Sequence, residues 1–83
     1  MIKVVLTTIE NCARCEKVRK TLDRLKKEYP KLIVEIYPVT TEPGAQLVKQ
    51  YRIAGAPGII INDKLIKIGE MSEKEFKQEF DSL

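Results

Sequence analysis

The sequence predicts an α/β domain in which three helices cover the two faces of a four-stranded mixed sheet, in the order β-α-β-α-β-β-α. Three observations predict it. Short apolar, β-branched runs at 2–8, 32–37, 59–61 and 64–68 read as strands, the last two separated only by Asn62-Asp63. Stretches with apolar residues at helical spacing follow the first, second and fourth runs. A strand–helix–strand opening implies a right-handed parallel crossover, whereas a two-residue turn implies an antiparallel hairpin.

Each element has its own signal. Ile2 to Thr8 is apolar and β-branched enough to be a buried strand. The chain turns polar at Glu10-Asn11 and enters a helix near Cys12. From there Cys15, Val18, Leu22, Leu25 and Tyr29 step by three and four, predicting one helical face that runs to Tyr29 and stops at Pro30. Leu32 to Tyr37 is the second strand, ended by Pro38. Thr41 or Glu42 caps the second helix, with Pro43 in the first turn, where a missing N–H costs nothing. Ala45, Val48 and Tyr51 are its expected inner face. Gly55-Ala56-Pro57-Gly58 breaks the pattern before the hairpin. The last helix carries the fullest signature. Ser72 is the N-cap and Glu75 its capping-box partner, while Met71 and Phe76 stand where a hydrophobic staple closes. Phe76 and Phe80 point inward, and Glu73 and Lys77 pair outward at i, i+4.

Eighty-three residues make one domain, 1–83, near the lower limit for an unaided hydrophobic core. No apolar run approaches the roughly 20 residues that cross a bilayer, and the first residues lack the core and cleavage site of a signal peptide. A cytoplasmic protein without membrane partners is expected. The net charge of +3, from 15 basic and 12 acidic residues, is too small and too mixed to argue for nucleic acid. Seven basic residues between Arg14 and Lys27 are interleaved with Glu16 and Asp23, and read as a solvated helix face. There is no histidine, which removes the commonest general base and the commonest metal ligand.

Chemistry is concentrated in Cys12-Ala13-Arg14-Cys15, which holds the chain's only two cysteines. A disulfide closing so short a loop constrains the unfolded chain little, so stabilisation is a poor reason for it. In a reducing compartment two close cysteines are more often catalytic or metal-binding than structural. Cys12 falls at a strand-to-helix junction, where unpaired N–H groups and the positive end of the helix favour a thiolate. Arg14 adds a nearby permanent cation, and both influences lower a thiol pKa. Cys15 falls one turn later on the inward face. The exposed Cys12 is thus the expected nucleophile and the shielded Cys15 the expected resolving thiol.

Strand, Cys-x-x-Cys, helix and a distal Ala56-Pro57 leading into a strand together resemble the thioredoxin and glutaredoxin superfamily. Pro43-Gly44-Ala45, Tyr51-Arg52-Ile53, Gly55-Ala56-Pro57 and Gly69 before a Ser-capped helix are similar to the corresponding thioredoxin run. The resemblance covers essentially the whole chain at glutaredoxin length, as in small thioredoxin-like proteins of bacteria and archaea. It implies the thioredoxin fold with strand order 2-1-3-4. It also implies a cis Ala56-Pro57 bond facing the cysteines, with Ala56, Pro57 and Gly69 beside bound substrate. The implied activity is thiol–disulfide exchange, with no cofactor beyond the Cys12–Cys15 disulfide. Disulfide-containing proteins are the implied substrates, an upstream reductase or low-molecular-weight thiol the donor, and a monomer the implied state.

The chain also departs from its relatives. Thioredoxins carry Trp-Cys-Gly-Pro-Cys, whereas this chain has no tryptophan and reads Ala13-Arg14 between its cysteines. Thioredoxins bury an aspartate on the strand before the motif. Ile2 to Thr8 contains no acid, and Glu10 is the nearest substitute along the chain. Glutaredoxins hold glutathione with a Gly-Gly-x-Asp-like segment, replaced here by Gly69-Glu70-Met71-Ser72, so glutathione dependence is not expected. Two rival readings use the same cysteines. A Cys-x-x-Cys metal-ion carrier normally ends on a strand, and two cysteines without histidine cannot complete a tetrahedral zinc site in one chain, although a dimer could supply four thiolates. A redox-inert adaptor would use the groove near Pro57 for binding alone.

Overall fold

The computed structural model describes residues 1–83. The elements are β1 (Ile2–Thr8), α1 (Ala13–Leu25), β2 (Leu32–Pro38), α2 (Glu42–Tyr51), β3 (Gly58–Ile61), β4 (Lys64–Ile68) and α3 (Glu73–Asp81). Hydrogen bonding orders the strands β2-β1-β3-β4. β1 and β2 are parallel, in a register that pairs Ile2 with Leu32 and Thr8 with Pro38. β3 runs antiparallel to β1, pairing Thr7 with Gly58, and β4 runs antiparallel to β3. The expected architecture and strand order are therefore those of the molecule. Asn62 and Asp63 both have positive φ, 47° and 66°, as the two-residue hairpin demands.

Alternation along β1 sends its side chains into two cores. Val4 and Leu6 join Val18, Leu22 and Leu25 of α1 and Phe76 and Phe80 of α3, together with Ile59 and Ile61. Val5 meets Ile53 and Ile60 on the opposite face, with Leu47, Val48 and Tyr51 of α2 packed against them. The helices thus lie two on one face and one on the other. Phe76 is fully buried and stacks at a tilt on Phe80, their ring centroids 5.8 Å apart.

The structure corrects two of the helical expectations. α1 ends at Leu25 rather than continuing to Tyr29. Pro30 disfavours a helical backbone at the residue before it, and the last turn tightens. Lys27 donates to the Arg24 carbonyl and Glu28 to that of Leu25, both one residue short of α-helical spacing. Tyr29 keeps its inward role all the same, meeting Phe80 edge-on at 5.1 Å. In α2 it is Ala45 that fails, for it is exposed, and the inner line is Gly44, Leu47, Val48 and Tyr51. Gly44 is buried where a Cβ would collide with the Pro38 carbonyl. A residue without a side chain leaves no apolar mark, so its neighbour was read as facing in.

The capping box of α3 forms in both directions. Ser72 Oγ accepts from the Glu75 N–H at 3.2 Å, and Glu75 Oε1 accepts from the Ser72 N–H at 3.1 Å. Bonds from the Ser72 backbone and from Lys67 hold the Glu75 carboxyl below the usual carboxylate range. Its contribution to stability is present above the unfolded carboxyl pKa of about 4.3 and is lost as pH falls through the lower folded value. Ser72→Ala is expected to cost about 1 kcal/mol in urea unfolding at neutral pH. Glu75→Gln is expected to flatten the acid side of the stability curve measured in the same way.

Candidate redox site

β1 ends at Thr8, and Asn11 then turns the chain in the left-handed region, φ 54°, to start α1. Asparagine tolerates that conformation better than most residues. Cys12 is the N-cap of α1, and its Sγ accepts a hydrogen bond from the Cys15 N–H at 3.1 Å. The Cys15 amide in the first turn of the helix is therefore aimed at sulfur, where negative charge is favoured on reduction. Cys15 lies within α1 on the same side as Val18 and Leu22 and is only 5% exposed, whereas Cys12 is partly exposed. A disulfide joins the two, their Cα atoms 5.2 Å apart.

The other expected residues gather at the same end of the sheet. β3 begins at Gly58, opposite Thr7 in the last turns of β1, so Ala56 and Pro57 sit beside the strand end that leads to Cys12. The Ala56-Pro57 peptide bond is cis, and both residues are buried. Gly69 adopts φ +127°, a conformation that favours glycine, and its N–H donates to the Pro57 carbonyl at 2.8 Å. Nothing in the chain lies within 4 Å of where its Cβ would be. Gly69 thus ties the end of β4 to the proline segment and leaves open space on its side-chain face.

Two hollows meet at Ile9, which is 51% exposed. One, of about 230 Å³, holds Cys12 and Cys15 with Asn11, Glu16, Arg19 and Ile36. The other, of about 260 Å³, is mostly apolar and lies along Val39, Val48, Ile53 and Ala56. Arg14 is exposed, lines neither hollow and forms no ion pair. Glu10, the nearest acid along the chain, is also exposed and outside the cysteine hollow. The acid that lines it is Glu16, whose carboxyl is held below its usual range by hydrogen bonds from Arg19. Glu16 and Arg19 were hidden in the sequence among the charges of a solvated helix. The available signal was their spacing, since Arg19 is four residues beyond Cys15 and shares its side of the helix.

The match to known proteins is broad. The thioredoxin-domain family model matches residues 1–81. The chain belongs to the thioredoxin family. It is 32% identical over 78 residues to a probable thioredoxin of the archaeon Archaeoglobus fulgidus, covering 94% of this chain and 85% of that one. In fold it is similar to a thioredoxin-like protein from Clostridium perfringens, with TM-score 0.86 and 19% identity over 100% of this chain and 71% of the other. Thioredoxin-2 of the malaria parasite superposes with TM-score 0.83 and 16% identity, covering 100% of this chain and 84% of that one. Family membership and the Cys12–Cys15 pair support thiol–disulfide exchange as the general chemistry of this thioredoxin-like chain. No helix is long and apolar enough to cross a membrane.

Proposed function

We propose that the chain is a protein-disulfide reductase working through a mixed disulfide, with Cys12 as nucleophile and Cys15 as resolving thiol. The observation that carries this reading is the asymmetry of the pair, with Cys12 partly exposed at the helix N-cap and Cys15 buried one turn behind it. The Cys12 thiolate attacks one sulfur of a substrate disulfide and expels the other as a thiolate, which takes up a proton. Cys15 then attacks Cys12 Sγ, the second substrate sulfur leaves with its bonding electrons, and the Cys12–Cys15 disulfide forms. Two electrons pass to the substrate, and a reductase or low-molecular-weight thiol restores the dithiol in the same compartment, for which the cytoplasm is the natural setting. The open space beside Gly69 would admit an extended substrate segment past Ala56 and Pro57, and the apolar hollow beyond Ile9 offers room for its side chains.

The test is reduction of a model protein disulfide with dithiothreitol or a reductase as donor. Turnover well above the dithiothreitol background is expected, and turnover equal to that background would refute the proposal.

A further inference from the structure

The hollow beside Cys15 contains an ion pair that attack by Cys12 does not use. Cys15 is only 5% exposed, and a buried anion loses hydration. Resolution nevertheless needs Cys15 as a thiolate. β1 and the segment after it bring Thr8 and Ile9 to this hollow, and β2 brings Ile36, so neither supplies a charge. α1 supplies both charges present, Glu16 directly after Cys15 and Arg19 one turn on.

The Arg19 guanidinium is fixed there by three bonds. Its Nη2 and Nε donate to the two carboxylate oxygens of Glu16 at 2.9 and 3.3 Å, and its Nη1 donates to Asp23 at 3.1 Å. The Arg19 side chain is 38% exposed, against 62% for Glu16 and 51% for Asp23. The Arg19 side chain is therefore the least exposed of the three, and a charge acts more strongly where water is thinner. The remaining charges near the motif are accounted for. Glu70, in the segment after β4, pairs with Lys17 at 3.2 Å, and Glu10 and Arg14 lie outside the hollow. Lys20 acts on Glu16 from the outer side of the helix.

We propose that Arg19, clamped by Glu16 and Asp23, is the positioning residue that favours the Cys15 thiolate in the resolving step. The proposal rests on the reading of Cys15 as the resolving thiol. Cys15 Sγ gives its proton to water in the hollow, and the electron pair left behind forms the bond to Cys12 Sγ. The bond from Cys12 to the substrate breaks, and the departing substrate sulfur is protonated from solvent. Arg19 takes no proton at any point; it lowers the energy of the anion. Glu16 holds Arg19 in place and, being an anion, opposes it.

The test reads the Cys15 thiolate itself. In the mixed disulfide Cys12 carries no charge, a state mimicked by Cys12→Ser. In that variant the Cys15 thiolate is titrated by its ultraviolet absorbance and by the pH dependence of its alkylation rate. Adding Arg19→Gln is expected to raise the midpoint by about half a unit to one unit. Arg19→Lys is expected to stay close to the parent. With both cysteines present, Arg19→Gln is expected to slow single-turnover resolution several-fold at pH 7 while leaving formation of the mixed disulfide little changed. A midpoint indifferent to Arg19→Gln, or lowered by it, would overturn the proposal. The titration needs no turnover, so a chain that reduced no disulfide would refute the function proposed above and leave the charge effect separately readable.

Discussion

Cys12→Ser is expected to reduce disulfide turnover to the uncatalysed background, and Cys15→Ser to arrest it after one half-reaction. The first variant keeps a hydroxyl at the N-cap, and serine is itself a good cap, so the fold is retained while the nucleophile is lost. The second keeps the partly exposed thiol at the helix end and removes the group that would expel the substrate. Cys15→Ser should therefore accumulate a covalent complex in which Cys12 is joined to one substrate sulfur. Non-reducing electrophoresis and intact-mass measurement check this directly. Equal adduct yields from the two variants would show that the thiols do not divide the labour as their unequal burial indicates.

Phe76→Ala is expected to be the most damaging core substitution, costing about 3–5 kcal/mol. Phe76 is fully buried, joins the core under α1 and α3, and packs on Phe80, which in turn meets Tyr29. Truncation leaves a cavity that fixed strands on one side and α1 on the other cannot readily fill. For a domain of this size the loss is comparable with the whole of its stability. Urea unfolding followed by circular dichroism measures it. A loss below about 1 kcal/mol would mean that α3 collapses inward to fill the space. Because Phe76 lines neither hollow, the same variant should keep its exchange chemistry under conditions where it remains folded.

The fold was legible wherever periodicity or a cap gave an element its own voice. Ser72, Glu75 and Phe76 marked α3 through bonds made within one turn, which need no tertiary context. Asn62-Asp63 marked the hairpin because both residues tolerate positive φ. Legibility failed where the deciding contact came from elsewhere in the chain. Gly44 faces inward because the Pro38 carbonyl stands against it, a contact that no spacing in α2 reveals. Tyr29 belongs to the core by position rather than by helix, since Pro30 governs the backbone before it.

The site divides in the same way. Cys12, Cys15 and Pro57 were visible from residue type, and the sheet brings their segments to one end. Arg14, placed beside Cys12 by its position in the motif, projects clear of the hollow. Arg19, four residues beyond Cys15, lines it together with Glu16, to which its guanidinium donates two hydrogen bonds.

The most direct test of the redox reading is an equilibrium titration in buffers of defined thiol–disulfide ratio, quenched by alkylation and read by mass spectrometry. Cys12 and Cys15 should change state together in one reversible transition with a slope of about 30 mV per tenfold change, the mark of a two-electron couple. Independent modification of the two thiols, or a bond that forms once and is not reduced again, would contradict a catalytic dithiol and leave Cys12–Cys15 a structural feature.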